Sequence, residues 1–139
     1  MAEKLSGVTE TGISLLVNEF YAKARRDPMI GPLFESTVED WNAHLAKLAA
    51  FWSSVMLTTG RYSGNPMAVH RRHPIVPEQF DRWLELWRET TRELFDDATA
   101  ERFIAKAERI GESLKMALFV YGNDPLRARP AAHVRPIEP

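Results

Sequence analysis

His70 lies in the segment NPMAVHRRHP at 65–74, which separates two long stretches of helical periodicity. This place in the chain directs its imidazole into the space that those helices enclose. A neutral imidazole there is either a hydrogen-bonded core residue or a metal ligand. For one histidine alone, the core interpretation is the commoner one. His73 is a rival ligand, but it directly precedes Pro74, where helical backbone is disfavoured.

Three further side chains with polar hydrogens lie on the apolar faces of three different predicted helices: Tyr21, His44 and Trp83. Taken singly, Tyr21 and Trp83 are typical core residues, and His44 is typical of a histidine at the edge of an apolar stripe, half in water. Ordinary cores avoid collecting such groups, because each one left without a partner costs about 1 to 3 kcal/mol. Together with His70 they indicate a pocket. A flat aromatic cofactor with one metal coordination position would use all four residues.

The first half of the chain predicts two long helices joined by a corner. Apolar residues recur at three- and four-residue spacing from Ile13 to Ala24, and Asp27-Pro28 should end that helix. A tight corner over 28–34 follows, with Met29 among the side chains expected to turn inward. Ser36 or Thr37 is predicted to cap the next helix, which runs to Thr58.

The second half predicts two more long helices. Pro77 suits the first turn of a helix that reaches Phe95, and 96–99 break the pattern before a helix that ends at 122–123. Between Gly60 and Pro77 there is room only for a loop and a short helical piece ending at 70–72. No segment is typical of a strand, so we expect an all-α domain at 1–122, with a plain four-helix bundle as the competing architecture. The Pro- and Arg-containing tail at 123–139 is expected to be disordered.

Composition excludes several classes of function. The 139 residues include 18 basic and 19 acidic side chains, a net charge of −1 that gives no reason to expect nucleic acid or a membrane as a partner. There is no cysteine, which excludes disulfides, thiolate-ligated haem, iron–sulfur clusters and covalent haem attachment. Neither a signal peptide nor a membrane-spanning run stands out, so a soluble cytoplasmic protein is expected.

Several segments of the chain resemble a known family, the truncated haemoglobins, and in particular their third group. The resemblance runs from about Ile13 to Tyr121. It is carried by Phe20-Tyr21, by WNAHLAKL at 41–48 leading to Phe51-Trp52, by GRYSGNPMAVH at 60–70 and by PEQFDRWLELW at 77–87.

The resemblance implies a shortened globin, a two-over-two helical sandwich around non-covalent haem b. His70 would be the proximal iron ligand, and Tyr21, His44 and Trp83 would form the distal side. The implied apolar walls are Leu48 and Trp52, with Phe20, Phe34, Phe51, Met67, Ile75 and Phe80 as further candidates. Arg61, Arg71 and Arg72 are candidates to pair with the haem propionates.

The same resemblance implies that the open iron position binds dioxygen, nitric oxide, carbon monoxide or peroxide. Tyr21 and Trp83 are expected to donate hydrogen bonds to the ligand, and His44 to act as a gate or as a third donor. Strong donors slow ligand release, which favours redox or detoxification chemistry, peroxidase-like or directed at nitric oxide, over oxygen transport. A reductase is the implied partner.

Two alternatives stay open without the resemblance. One is a non-haem metal site of His44, His70 and His73 in a helical protein, although carboxylate ligands on the same faces are lacking. The other is a cofactor-free helical interaction module whose aromatic residues all belong to the core.

Overall fold

The structure is a computed structural model, and it describes residues 3–66, 70 and 75–121. Over those residues the chain forms five helices, which we number in chain order. They are α1 (Glu10–Ala24), α2 (Gly31–Thr37), α3 (Trp41–Leu57), α4 (Pro77–Leu94) and α5 (Asp97–Lys115), the last continued by a π-helical segment, Met116–Tyr121. The predicted helical piece ending at 70–72, the helix stop at 122–123 and the tail at 123–139 lie wholly or partly outside the described residues.

Helix α1 follows the predicted apolar stripe closely. It begins earlier than the stripe suggested, because the Thr9 hydroxyl accepts a hydrogen bond from the Gly12 backbone N–H at 3.0 Å and caps the helix. The inward face is fully buried and comprises Ile13, Leu16, Val17, Phe20 and Ala24. Tyr21 lies beside this stripe and is also buried.

The prediction of a corner over 28–34 is partly wrong, because residues 31–34 belong to the short helix α2. Asp27 organises the corner: its carboxylate accepts hydrogen bonds from the Met29 and Ile30 backbone N–H groups at 3.0 and 3.1 Å. Ile30 is buried as expected, whereas Met29 is 49% exposed and does not turn inward. The corner thereby presents Phe34 of α2 to Tyr21, with their ring centroids 5.4 Å apart.

The predicted caps of α3 are also wrong. Ser36 and Thr37 end α2, where their hydroxyls donate to the carbonyl oxygen of Leu33 at 3.0 and 2.8 Å. Asp40 caps α3 instead, by accepting a hydrogen bond from the Ala43 backbone N–H at 3.1 Å. A hydroxyl suits either end of a helix by local bonding, so the sequence signal for a cap was ambiguous here.

The four long helices form two pairs. Helix α1 packs against α3 and α4 packs against α5, and the pairs meet through contacts of α1 with α4 and of α3 with α5. Between the pairs, Trp52 of α3 stacks on Trp87 of α4 with centroids 4.4 Å apart. Over the described residues there is no strand, and an isolated bridge joins Leu5 to Phe95. None of the helices in the described part of the chain is long and apolar enough to span a bilayer.

Candidate functional site

Tyr21 of α1 and Trp83 of α4, two of the residues singled out from the sequence, both pack edge-on against Phe20, and the indole of Trp83 acts on the phenol of Tyr21 as a hydrogen-bond partner that lowers its pKa. An indole N–H only donates, so the phenol oxygen of Tyr21 is the acceptor and its own proton remains to be donated elsewhere. Burial raises the pKa of Tyr21 to about 12, against a smaller lowering by the Trp83 hydrogen bond. At neutral pH, Tyr21 is therefore a protonated, buried hydrogen-bond donor.

His44 of α3 lies beside Tyr21. Its ring meets Tyr21 edge-on, with centroids 6.0 Å apart, and meets Trp41 in the same way at 5.5 Å. The side chain is half-buried, and burial, followed by the charge of Lys47, lowers the pKa of His44 below its ordinary value. The imidazole is thus neutral at pH 7 and keeps one nitrogen with a lone pair. We call Tyr21, His44 and Trp83 the polar triad.

The raised pKa of Tyr21 predicts a loss of stability at alkaline pH. The folded state holds the phenolic proton more tightly than the unfolded chain does. The resulting contribution of Tyr21 to the free energy of unfolding is complete below pH 10 and is lost as pH rises towards about 12. At about pH 11 the loss should be about 1.4 kcal/mol. The loss can be measured by urea unfolding of the wild type and of Tyr21→Phe, each at neutral pH and at about pH 11. An equal loss in both proteins would contradict the assignment.

His70 is held by a backbone carbonyl. Its Nδ1 lies 2.5 Å from the carbonyl oxygen of Pro66. Because a carbonyl oxygen only accepts, Nδ1 carries the proton, and in the neutral ring Nε2 is then the nitrogen with the lone pair. This is the protonation state that a histidine needs in order to bind a metal through Nε2. The half-buried ring lies 6.0 Å from that of Phe80, centroid to centroid.

Helix α4 connects the two ends of the site. Phe80, beside His70, and Trp83, in the polar triad, lie three residues apart and therefore on one face of the helix, separated by about 4.5 Å along its axis. The same face continues to Trp87, whose ring stacks on that of Trp83 with centroids 5.5 Å apart. One rigid element thus carries a contact of His70 and a member of the polar triad.

The predicted wall residues fall into two groups. Two belong to the closed core: Phe20, which meets Tyr21, Trp83 and Trp87 edge-on, and Trp52, which stacks on Trp87. Three others, Phe34, Leu48 and Phe51, are partly buried and pack against that core. Ile75 is half-buried, and Phe80 is buried beside His70. Met67 lies outside the described residues.

Helix α3 shows an incompletely covered apolar face. Of its 17 residues, only Trp52 and Ser53 are buried. The remaining large apolar residues of the helix are only partly buried where they meet the core, although their type would favour full burial. They are Trp41, Leu45, Leu48, Phe51, Val55, Met56 and Leu57. A flat apolar group on this face would remove that surface from water.

Arg61 is the one propionate candidate in the described part of the chain. Its guanidinium bonds the carboxylate of Glu10 at 2.6 Å. Arg71, Arg72 and His73 lie outside the described residues. Within the described residues, no three His, Asp or Glu side chains converge as a metal site would require.

Two features of the site were not predicted from the sequence. Trp41 packs beside Tyr21, with ring centroids 6.0 Å apart, and is itself covered by the guanidinium of Arg25, 4.3 Å from its ring centroid. Asp27 bonds Arg82, the residue before Trp83, at 2.8 Å. The turn-forming Asp-Pro pair at 27–28 marked Asp27 as a local cap, but nothing local indicated a partner 55 residues away.

Comparisons with known proteins match the chain to globins. The sequence profile of the bacterial-like globins matches residues 3–116. The chain is 29% identical over 124 residues to Group 3 truncated hemoglobin ctb of Campylobacter jejuni subsp. jejuni serotype O:2, covering 86% of this chain and 98% of that protein. The crystal structure of group III truncated hemoglobin from Campylobacter jejuni is similar, with a TM-score of 0.81 and 28% identity over 88% of this chain and 100% of that one. The predicted resemblance and the shortened globin fold are confirmed, and the plain four-helix bundle is not.

Proposed function

The chain belongs to the bacterial-like globin family, and on that premise we propose that it holds non-covalent haem b between α3 and α4, with His70 as the iron ligand. The polar triad lines the opposite, ligand-binding side. The finer roles given below to single residues are part of this proposal.

The single observation that carries the proposal is the hydrogen bond from His70 Nδ1 to the carbonyl oxygen of Pro66. Metal-bound histidines commonly donate their second ring N–H to a carbonyl or carboxylate, which fixes the tautomer and the ring orientation. In this chain the bond leaves the lone pair on Nε2, the nitrogen that would face the iron. A core histidine with the opposite tautomer would not suit this role.

The surroundings also suit a porphyrin. A porphyrin needs broad apolar contact on both faces, and the partly buried residues of α3, such as Leu48 and Phe51, present apolar surface that the core does not cover. Phe80 offers a further aromatic contact next to His70. The absence of cysteine from the sequence fits a haem held without covalent bonds.

Ferrous haem held by the His70 imidazole would supply a binding position for dioxygen, nitric oxide, carbon monoxide or peroxide. Tyr21 is the residue that donates to the ligand, because its phenol is protonated, buried and has a proton to give. Trp83 acts through Tyr21: its N–H bonds the phenol oxygen, which polarises the phenol and orients its proton. Direct donation by both residues is the expectation from the sequence, whereas the effect of Trp83 on the pKa of Tyr21 supports an arrangement in series.

His44 favours redox chemistry over simple transport. A neutral imidazole next to a buried phenol can accept a proton from one species and return it to another, which is the task of a general acid–base in peroxide cleavage. A strong donor on the ligand also slows its release. We therefore assign the protein to redox or detoxification chemistry of peroxide or nitric oxide, supplied with electrons by a reductase in the same cytoplasmic compartment.

Titration of the protein, freed of any haem, with hemin tests the cofactor assignment. Trp83, Trp87 and Trp52 form a continuous stack beside the site, so bound haem should quench their emission by energy transfer. We expect quenching that saturates at one hemin per chain. Emission unaffected by hemin would favour the cofactor-free module. A bound non-haem metal without visible absorption would favour the histidine metal site.

A further inference from the structure

Asp27 is a carboxylate buried in the corner between α1 and α2, and both of its oxygens are used. Oδ2 accepts the Met29 and Ile30 backbone N–H groups at 3.0 and 3.1 Å, and Oδ1 accepts Nε of Arg82 at 2.8 Å. Nη2 of Arg82 lies 2.8 Å from the same Oδ1, and the Asp27 side chain is only 3% exposed. Burying a carboxylate is costly unless it is paired and hydrogen-bonded, which this one is.

The two ends of this ion pair lead to Tyr21 and to Trp83, whose rings both pack edge-on against Phe20 with centroids 4.7 and 5.7 Å away. On one side, Asp27 shapes the corner that follows α1 and places Phe34 against the ring of Tyr21. On the other side, Arg82 directly precedes Trp83 on α4. A shift of the corner relative to α4 would therefore change the distance between the Trp83 indole N–H and the Tyr21 phenol oxygen.

We infer that Asp27 and Arg82 are positioning residues for the ligand-binding side, which hold Trp83 at hydrogen-bonding distance from Tyr21. The inference deepens the proposed function and rests on it for its second measurement only. A hydrogen bond weakens steeply when its donor and acceptor separate or tilt. An ion pair that fixes two elements beside such a bond controls its strength without touching the ligand.

A second ion pair also links the first part of the chain to α4 and provides a control. Nζ of Lys23 on α1 lies 2.8 Å from Glu89 and 2.5 Å from Glu93 on α4. Both glutamates are 57% exposed, so this pair is screened by water and contributes little to stability. Lys23→Gln thus removes an α1–α4 ion pair without disturbing a buried charge.

The first test is ultraviolet resonance Raman spectroscopy of the indole band that responds to N–H hydrogen bonding. Subtracting the spectrum of the matching Trp83→Phe protein isolates the Trp83 signal. We expect Arg82→Lys, which keeps the charge but loses the fixed fork of the guanidinium, to shift the Trp83 signal towards weaker hydrogen bonding. Lys23→Gln should leave it unchanged. Because the signal can be measured without haem, failure of the haem proposal and failure of this inference are distinguishable.

The second test is the rate of dioxygen dissociation from the haem-loaded protein. Arg82→Lys should raise it roughly 2- to 10-fold, as expected for weakening a neutral hydrogen bond, and Lys23→Gln should not. If Arg82→Lys does not fold, Asp27→Asn combined with Arg82→Gln removes both charges together and takes its place in both tests. An unchanged Trp83 signal and dissociation rate in a variant that only unfolds more easily would reduce the pair to a structural role and overturn the inference.

Discussion

Replacing His70 with glycine is expected to abolish retention of haem through purification while leaving a folded helical protein. In the proposed site, His70 Nε2 is the protein's bond to the iron, and its ring is already fixed by the carbonyl of Pro66. Loss of an outer-shell partner alone lowers metal affinity roughly 10- to 100-fold. Loss of the ligand itself should exceed that. The haem content of the purified protein, measured from its visible absorption, gives the result.

Two controls separate ligation from a general loss of packing. His73→Ala changes the rival histidine and should retain haem at the wild-type level. Added imidazole should restore haem binding to His70→Gly, since it can occupy the space left by the missing ring. Haem loss in His73→Ala together with retention in His70→Gly would transfer the ligand role to His73.

The second large effect is expected from Tyr21→Phe, which should keep haem but release dioxygen roughly 10- to 100-fold faster. The phenol donates to a ligand that acquires negative charge, and such hydrogen bonds contribute about 1.5 to 3 kcal/mol. A tenfold change in rate corresponds to about 1.4 kcal/mol. Removing the hydroxyl leaves the ring and its edge contacts with Phe20 and Phe34 in place. Stopped-flow mixing of the oxygenated protein with a dioxygen scavenger measures the rate.

Two further variants are measured in the same way: Trp83→Phe tests the role of Trp83, and Tyr62→Phe is a control. Because Trp83 acts through the phenol, Trp83→Phe should accelerate release by a smaller factor than Tyr21→Phe. Tyr62 contacts Phe51 and stands apart from the polar triad, so Tyr62→Phe should not alter the rate. Equal rates in the wild type, Tyr21→Phe and Trp83→Phe would refute the donor assignment without affecting the cofactor.

Helical periodicity was sufficient to predict the long helices and to assign Tyr21, His44 and Trp83 to three different ones. An apolar stripe specifies which face of a helix turns inward, and Tyr21, His44 and Trp83 lie on or beside such stripes. Their packing follows from the stripes, since inward faces of neighbouring helices must meet. The hydrogen bond between Tyr21 and Trp83, by contrast, depends on rotamers and helix offsets that periodicity does not encode.

The errors arose where local chemistry allows two outcomes or where the partner is distant. Ser36 and Thr37 were assigned to the start of α3, but the same hydroxyls bond Leu33 at the end of α2. The bond of Arg61 to Glu10, 51 residues earlier, was not predicted at all. Such pairs form only after the helices have packed, so no pattern near either residue indicates them.

The haem assignment is tested most directly by the visible absorption spectrum of the purified protein, before and after reduction with dithionite and addition of carbon monoxide. We expect an intense haem band that shifts on reduction and again with carbon monoxide, as is typical of iron with one imidazole and an open position. A colourless protein that takes up no added hemin, or a haem spectrum that carbon monoxide leaves unchanged, would contradict it.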